Sequence, residues 1–517
     1  MASTTNPADA RVVVIGAGIA GLAAAVLLAA RGLDVTVLER APAPGGKMRE
    51  VPVGDARIDG GPTVFTMRWV FEELFAEAGA SLDEHVGLRP VSVLARHAWG
   101  ERERLDLFAD IGASADAIGR FAGAAEARGY REFCERARKI YRTLEEPFIR
   151  AARPTPLSLA AGAGLRGLSD MWGVSPFATL WKELGKHFRD ARLRQLFGRY
   201  ATYCGSSPFQ APATLMLVAH VEQAGVWLVD GGMHRLALAL AGLAEAKGAR
   251  FRYGAGVREI EAQDGRVSGV VLRSGERIGA EAVIANADLE ALAGGLLGAA
   301  AQGAVERPAA ERSLSAMTWC LEARASGFPL ARHTVFFSRD YEAEFRDIFG
   351  RGRLPSAPTV YVCAQDRNDA GAGPDGPERL LVLTNAPALG DRRAFTAEET
   401  ASCERNSFDL LRRCGLQVER RPEATVLTTP LGFERLFPAT GGALYGRALH
   451  GWASSFGRPG AATRLPGLYL AGGSVHPGPG VPMAAMSGRL AAAQLLGHLD
   501  STARSRRTAM PGGMSTR

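Results

Sequence analysis

Three glycines and one carboxylate near the start of the chain have the types and spacing of a phosphate-binding turn. In the run RVVVIGAGIAGLAAAVLLAARGLDVTVLE, Gly16, Gly18 and Gly21 follow a β-branched segment and open an alanine- and leucine-rich one, and Glu39 ends a second β-branched segment. Gly16 permits a tight turn, Gly18 lets a pyrophosphate approach the backbone, and Gly21 lets a helix pack closely on a strand, with Ala20 in the same turn. The N-terminus of that helix offers unpaired N–H groups and a positive dipole end to phosphate. Glu39 is placed to accept a hydrogen bond from a ribose hydroxyl. The chemistry is the binding of a dinucleotide. It requires a strand over Val12 to Ile15, a helix to about Arg31 and a second strand over Asp34 to Leu38. Val12 to Ala30 carries no charge and has the length of a membrane span. Its glycines and the β-branched run before them favour strand, turn and helix instead.

At 517 residues, 47% hydrophobic, the chain can bury a large core and is expected to form more than one domain. The net charge is +7, with no long basic run, no aromatic-basic pattern for nucleic acid and no zinc-ligand spacing. Neither nucleic acid nor metal is therefore expected as a partner. The six cysteines are scattered without a CxxC pair, which fits buried thiols in a reducing compartment. The leading MASTTNPADAR lacks the basic start of a signal peptide, so the expected location is the cytoplasm.

Helical periodicity marks a helix from about Arg68, another over Tyr130 to Leu144 and a third near Met233 to Lys247. Short strands follow in FRYG, VREIE, RVSGVVLRSG and AVIANAD. Strands return in MTWCLEA, TVFFS, TVYVC, RLLVLTN and ATVLTT, with a Gly/Pro/Asp-rich loop over 366–378. Near the end come LYLAGG, a loop and a helix opened by Pro482. Alternating α/β signals occur near the N-terminus, at 220–290 and at 465–498. The expected fold class is α/β: a discontinuous Rossmann-type nucleotide-binding domain interleaved with a second, α+β domain.

Further motifs choose the dinucleotide. Glu39-Arg40 is followed by the pair Gly45-Gly46 with Lys47 after it, and then by RIDGGPTVFTM. Together these resemble the superfamily of flavin-containing amine oxidases and carotenoid desaturases. The resemblance implies FAD as cofactor. Gly45 and Gly46 would let the loop cross the diphosphate closely, with Lys47 meeting its charge where many relatives have Arg. Gly60, Gly61, Pro62 and Thr63 would lie beside the isoalloxazine. The segment from Gly254 to Asp288 resembles the middle FAD segment, with backbone groups of Val257 holding adenine. LPGLYLAGGSVHPGPGVPMAAMSGRLAA resembles the C-terminal flavin segment of carotenoid desaturases. There Gly472 and Gly473 would approach the ribityl-phosphate chain, and the helix at Pro482 would aim the N–H groups of Met483 and Ala484 at the flavin O2/N1 edge.

The similarity runs from about Arg11 to Leu496 and is closest to the 1-hydroxycarotenoid 3,4-desaturases. Phytoene desaturases tend to carry a different loop from the Val475-His476-Pro477-Gly478-Pro479-Gly480 found here. The resemblance implies that a C–C single bond beside a polyene, at the 3,4 position of a 1-hydroxy- or 1-methoxy-carotenoid, becomes double by hydride transfer to flavin N5 and loss of a proton. The reduced flavin would be reoxidised by oxygen or a quinone. Four alternatives stand beside this reading: a phytoene or other carotenoid desaturase, a flavin oxidase of the same fold acting on an amine or a porphyrinogen, a carotenoid isomerase, and a non-redox binding protein of the GDP-dissociation-inhibitor type.

The implied domain plan is FAD-binding segments at 10–85, 220–295 and 451–499, substrate segments at 86–219 and 296–450, and a disordered tail at 500–517. No acid/base dyad is evident. His476 in the flavin loop and Arg68 after the GPTVFTM segment are candidate catalytic residues; a loop histidine bonded to backbone and a surface arginine are the plainer readings. Trp227 is a candidate channel residue or a core tryptophan, and Asp230 and His234 candidate hydroxyl contacts or turn residues. Segment 147–185, with tryptophans among Arg and Lys, is a candidate peripheral membrane contact at the inner face of a membrane or, equally, a lid over the second domain.

Overall fold

The structure is a computed structural model, and it describes residues 10–154, 177–307, 311–368 and 371–508. The dinucleotide motif folds as its glycines require. Strand β1 (Arg11–Ile15) leads into helix α1 (Ile19–Ala30), which leads into β2 (Asp34–Leu38). These strands lie in a five-stranded parallel sheet in the order Arg250–Arg252, β2, β1, Ala282–Ala285, Leu468–Leu470. The sheet thus gathers strands from the beginning, middle and end of the chain.

Helix α1 is buried from Ile19 to Ala29. It packs between the helices His234–Ala246 and Val481–Thr508, which explains why its sequence is apolar on all sides. Gly488 makes the second contact close: a Cβ there would sit 2.1 Å from the carbonyl oxygen of Ala20. Burial of side chains such as Leu22 and Leu28 contributes about 1.5–3 kcal/mol each.

The second domain is built on a seven-stranded mixed sheet in the order Thr425–Thr428, Ser315–Ala323, Glu378–Ala386, Val360–Ala364, His333–Phe336, Val93–Ala98, Arg104–Phe108. Its neighbours are antiparallel except for the pairing of His333–Phe336 with Val93–Ala98. Helices from 111 to 223 pack beside it around Tyr130, Phe133, Phe188 and Phe197.

Several elements differ from the sequence expectation. The helix expected over Tyr130 to Leu144 begins at Ala124, because Gly123 at φ +102° breaks the preceding helix there. The helix opened near Pro482 runs on to Thr508, into the segment expected to be a disordered tail. Of the candidate membrane segment 147–185, residues 155–176 lie outside the described residues. Among the described residues no helix is long and apolar enough to cross a membrane, and no cluster of His, Cys, Asp or Glu has the geometry to hold a metal ion.

Candidate active site

One cavity of about 800 Å³ runs between the two domains. Its lining includes Gly16, Gly18, Ala20, Glu39, Arg40, Gly45, Gly46, Lys47, Val257, Gly472 and Gly473. Gly60, Gly61, Pro62 and Thr63 also line it, as do Pro482 and Met483 at the start of the C-terminal helix. Residues from the three remote stretches therefore line one cavity.

The local geometry explains the glycines. Gly21 is not in the lining; it packs α1 onto β1, and a Cβ there would sit 2.1 Å from the Gly16 carbonyl oxygen. Gly18 and Gly45 form an isolated bridge, and the Gly45 N–H donates to the Ala17 carbonyl at 2.8 Å. A Cβ on Gly61 would lie 1.9 Å from the Lys47 carbonyl oxygen. The Glu39 carboxylate accepts from the N–H groups of Ala17 (2.7 Å) and Ala41 (2.8 Å), which fixes it at the cavity wall. Arg40 reaches across to the carbonyls of Arg435 and Leu436.

Lys47 donates from Nζ to the Leu444 carbonyl at 2.6 Å and lies 5.4 Å from the Phe437 ring centre. Burial pushes its ammonium below the usual lysine range; Asp288 pulls it back and Arg458 depresses it further. Arg458 also lines the cavity and donates to the carbonyls of Gly473 (2.9 Å), Tyr445 (3.2 Å) and Arg447 (2.9 Å). Burial brings its guanidinium down to about 10. Two half-desolvated cations with mainly carbonyl partners suit an anionic group between them. The residues fit FAD on a further count: Asn286 lines the cavity beside Gly18 with its Oδ1 buried and without a protein partner.

The C-terminal helix gives a partial correction. The Ala484 N–H donates to Gly480 at 2.8 Å and is not available to a ligand. The Met483 N–H, in the first turn, has no intrahelical acceptor. The Gly472 N–H is taken by Ser487 Oγ at 3.1 Å.

The two candidate catalytic residues stand elsewhere. The Arg68 guanidinium is held by Glu72 (2.7 Å) and Asp83 (2.6 Å) at the protein surface, and Arg68 is not in the cavity lining. A helix-start arginine with two carboxylates in reach turns to them. His476 is 3% exposed and also outside the lining. Its Nε2 meets the Phe148 carbonyl at 2.8 Å, and burial lowers its pKa. Trp227 packs edge-on against Phe65 at 6.3 Å, Asp230 pairs with Arg89, and His234 Nδ1 meets the Met48 carbonyl at 2.8 Å. All three are accounted for by packing and turn geometry.

Sequence reasoning missed Arg458 and Asn286, described above, and two further groups. Asp59, buried, accepts from the N–H groups of Met233 (2.8 Å) and His234 (3.3 Å) and so ties the Gly60-Gly61 segment to the helix His234–Ala246. The other is the remainder of the cavity. Leu144, Phe148, Ile149, Leu215, Leu217, Val218, Val221, Val335, Leu381 and Leu449 give it an apolar wall. Arg199, Tyr203, Glu222, His333, Tyr341 and Tyr361 give it a polar patch. These side chains come from helices and strands far apart in sequence, without a local motif.

Comparison with known proteins agrees with this geometry. A family model described as flavin containing amine oxidoreductase matches residues 19–315. The chain is 61% identical to the hydroxyneurosporene desaturase of Rubrivivax gelatinosus over 98% of this chain and 97% of that protein. It is 28% identical to the 1-hydroxycarotenoid 3,4-desaturase of a Flavobacterium species over 93% of this chain and 98% of the relative. Cyclohexylamine oxidase from Brevibacterium oxydans shares the fold at a TM-score of 0.57 and 17% identity, covering 95% of this chain and 100% of the other. A cavity lined by residues of three remote segments, with glycine pairs from the first and the last of them, together with these similarities, places the chain in the flavin-containing amine oxidoreductase family, among its carotenoid desaturases, with FAD as cofactor.

Proposed function

We propose that this chain is an FAD-dependent carotenoid desaturase that acts at the 3,4 bond of a 1-hydroxy- or 1-methoxy-carotenoid. The observation that carries the reading is the single cavity in which a dinucleotide cradle opens onto an apolar wall from Leu144 to Leu449. An aliphatic polyene fits such a wall, and the driving force is the removal of its surface from water. Bound FAD supplies an electron-poor ring able to accept a hydride from carbon.

The chain's own residues bind and orient. Gly16, Gly18, Gly45 and Gly46 give the diphosphate its close approach, with Lys47 and Arg458 as its counter-charge. Glu39 takes the ribose, and the segment at Val257 the adenine. Gly60 to Thr63 and the Met483 N–H border the isoalloxazine. The apolar wall excludes water while the substrate loses its hydrogens. Conjugation spreads the developing positive charge, so a strong base is not required.

The second expectation is access from a membrane. Phe177 (64% exposed) and Trp452 (46% exposed) meet edge-on at 5.3 Å, and Trp452 also borders the cavity. This exposed aromatic pair supports peripheral contact with a lipid surface as the entry for an apolar substrate. Oxygen or a membrane quinone is the proposed final electron acceptor.

The test is incubation of FAD-loaded protein with 1-hydroxyneurosporene and with phytoene in liposomes. A red shift of the absorption bands with the hydroxylated polyene is expected. A clear preference for phytoene would overturn the assignment of substrate.

A further inference from the structure

The polar patch in the cavity has more hydrogen-bonding capacity than its protein partners use. Arg199 lies on the short helix Arg199–Cys204 and is 5% exposed. Its Nη1 donates to the Tyr203 hydroxyl, and its guanidinium carbon stands 5.5 and 5.1 Å from the ring centres of Tyr200 and Tyr203. Glu222 accepts from Tyr200 (2.6 Å) and Tyr203 (3.0 Å), so the arginine's charge has its counterpart one tyrosine away. The Nε and Nη2 of Arg199 have no protein partner. The same is true of Nε2 of His333 and the hydroxyl of Tyr341, and each of those residues is 4% exposed and lines the same cavity.

Folded proteins leave few buried polar atoms unmatched, because a donor removed from water and given nothing in return is costly. A cluster of them on the wall of a ligand cavity marks where a ligand supplies the missing partner. The groups here are mainly donors. Burial and the nearby Glu344 hold the Tyr341 phenol protonated. Burial, aided by Arg332 and Arg199, takes the His333 imidazole down to about 3, so it is neutral and offers one donor and one acceptor nitrogen.

The place of the cluster is equally informative. His333 Nδ1 meets the Tyr361 hydroxyl at 2.8 Å, and that hydroxyl meets Thr63 Oγ1 at 2.7 Å. Thr63 belongs to the segment proposed to border the isoalloxazine. In a polyene with oxygen on C1 and reaction at C3–C4, bonds of about 1.5 Å keep that oxygen within about 5 Å of the reacting carbons. An anchor for it must therefore stand beside the flavin, not at the far end of the cavity. The chain from Thr63 through Tyr361 to His333 meets that requirement.

We propose that Arg199, His333 and Tyr341 form an anchor for the oxygen substituent on C1 of the polyene and thereby select hydroxylated over unsubstituted substrates. Arg199 and Tyr341 donate to the oxygen. A hydroxyl additionally donates to the acceptor nitrogen of the imidazole, which an ether cannot do. The anchor thus ranks a 1-hydroxy end above a 1-methoxy end, and both above a plain hydrocarbon end. The inference rests on the desaturase reading given above.

The test is a competition assay with FAD-loaded full-length protein and three liposomal polyenes that differ only at C1: hydroxyl, methoxy and hydrogen. The wild type is expected to favour hydroxyl over hydrogen by at least about 100-fold in kcat/KM, because a site that hydrogen-bonds an oxygen discriminates against its absence. Tyr341→Phe is expected to reduce that preference at least about 10-fold and Arg199→Met further, mainly through KM, with flavin absorbance confirming a folded holoenzyme. An unchanged ratio in the folded variants, or equal use of the hydroxylated and unsubstituted polyenes by the wild type, overturns the anchor alone. If the wild type converts none of the three, the desaturase reading falls with it.

Discussion

The ammonium of Lys47 and the carbonyl of Leu444 are 2.6 Å apart, a contact that joins the first nucleotide-binding segment to the chain just before the last. Arg458 binds the carbonyls of Tyr445 and Gly473 on the other side of that segment. The two cations tie these segments together at the part of the cavity suited to an anion, and the proposed diphosphate is their counter-charge. Lys47→Met is expected to weaken FAD binding about 10- to 100-fold, the worth of one charge-assisted hydrogen bond. Titration of apoprotein with FAD, followed by fluorescence quenching, checks this. An unchanged affinity would place the diphosphate elsewhere.

Two glycines should respond in opposite ways to the same substitution. A Cβ on Gly21 meets the Gly16 carbonyl oxygen at 2.1 Å, so Gly21→Ala must move backbone and is expected to cost at least about 2 kcal/mol. Gly242, inside the helix His234–Ala246, has nothing within 4 Å of the same position. Gly242→Ala is expected to stabilise by about 0.5–1 kcal/mol, since alanine loses less conformational freedom there. Thermal unfolding of both variants reads the contrast.

His476 is expected to be structural. Its ring is 3% exposed, with Nε2 on the Phe148 carbonyl. His476→Gln should lower Tm by several degrees and leave kcat within about threefold. A loss of kcat of about 100-fold or more with unchanged folding would return this histidine to the chemistry.

Glu344 supplies a pH dependence. It is buried and accepts from the Thr359 N–H (2.9 Å) and Asn385 Nδ2 (2.8 Å), yet burial takes its carboxyl from the usual 4.5 up to about 7. Between those values the native state binds more protons than the unfolded chain. The stability this group contributes is therefore whole below about pH 4.5 and is lost as pH rises to about 7. Glu344→Gln does not titrate. Its stability relative to wild type should rise by about 3 kcal/mol from pH 4.5 to pH 8, the free energy linked to raising this carboxyl from 4.5 to about 7. Denaturant unfolding across that range checks both sign and size. His333 acts oppositely: with its pKa taken from 6.5 to about 3, it loses stability as pH falls through that interval.

The sequence was most legible where chemistry imposes a local pattern. Gly16, Gly18, Gly21 and Glu39 announce the nucleotide turn because a pyrophosphate needs bare backbone and a ribose needs an acceptor at fixed spacing. The pair Gly45-Gly46 and the Gly472-Gly473 run announce close approach for the same reason. The apolar strands of the second sheet were readable from their β-branched runs. The hairpin Glu50–Val53 with Ala56–Asp59 and the strands Val93–Ala98 and Arg104–Phe108 were not, since charged residues such as Arg57, Arg96 and Asp106 interrupt their apolar patterns. The anchor residues were invisible for a different reason. Arg199, His333 and Tyr341 come from one helix, one strand and the start of another helix, and only folding brings them to one wall. Arg68 and His476 drew notice by their position in motifs, and each is satisfied by a neighbour the sequence does not reveal: Asp83 for one, the Phe148 carbonyl for the other.

On the proposed reading, one cavity holds FAD and a polyene together for removal of two hydrogens. Its most direct measurement is an anaerobic single turnover of FAD-loaded protein with a 1-hydroxylated polyene in liposomes, followed by flavin absorbance and product mass. Loss of the oxidised flavin band is expected in step with a product two hydrogens lighter, one per flavin. A product of unchanged mass, or an oxidised flavin band that persists while product accumulates, would contradict it.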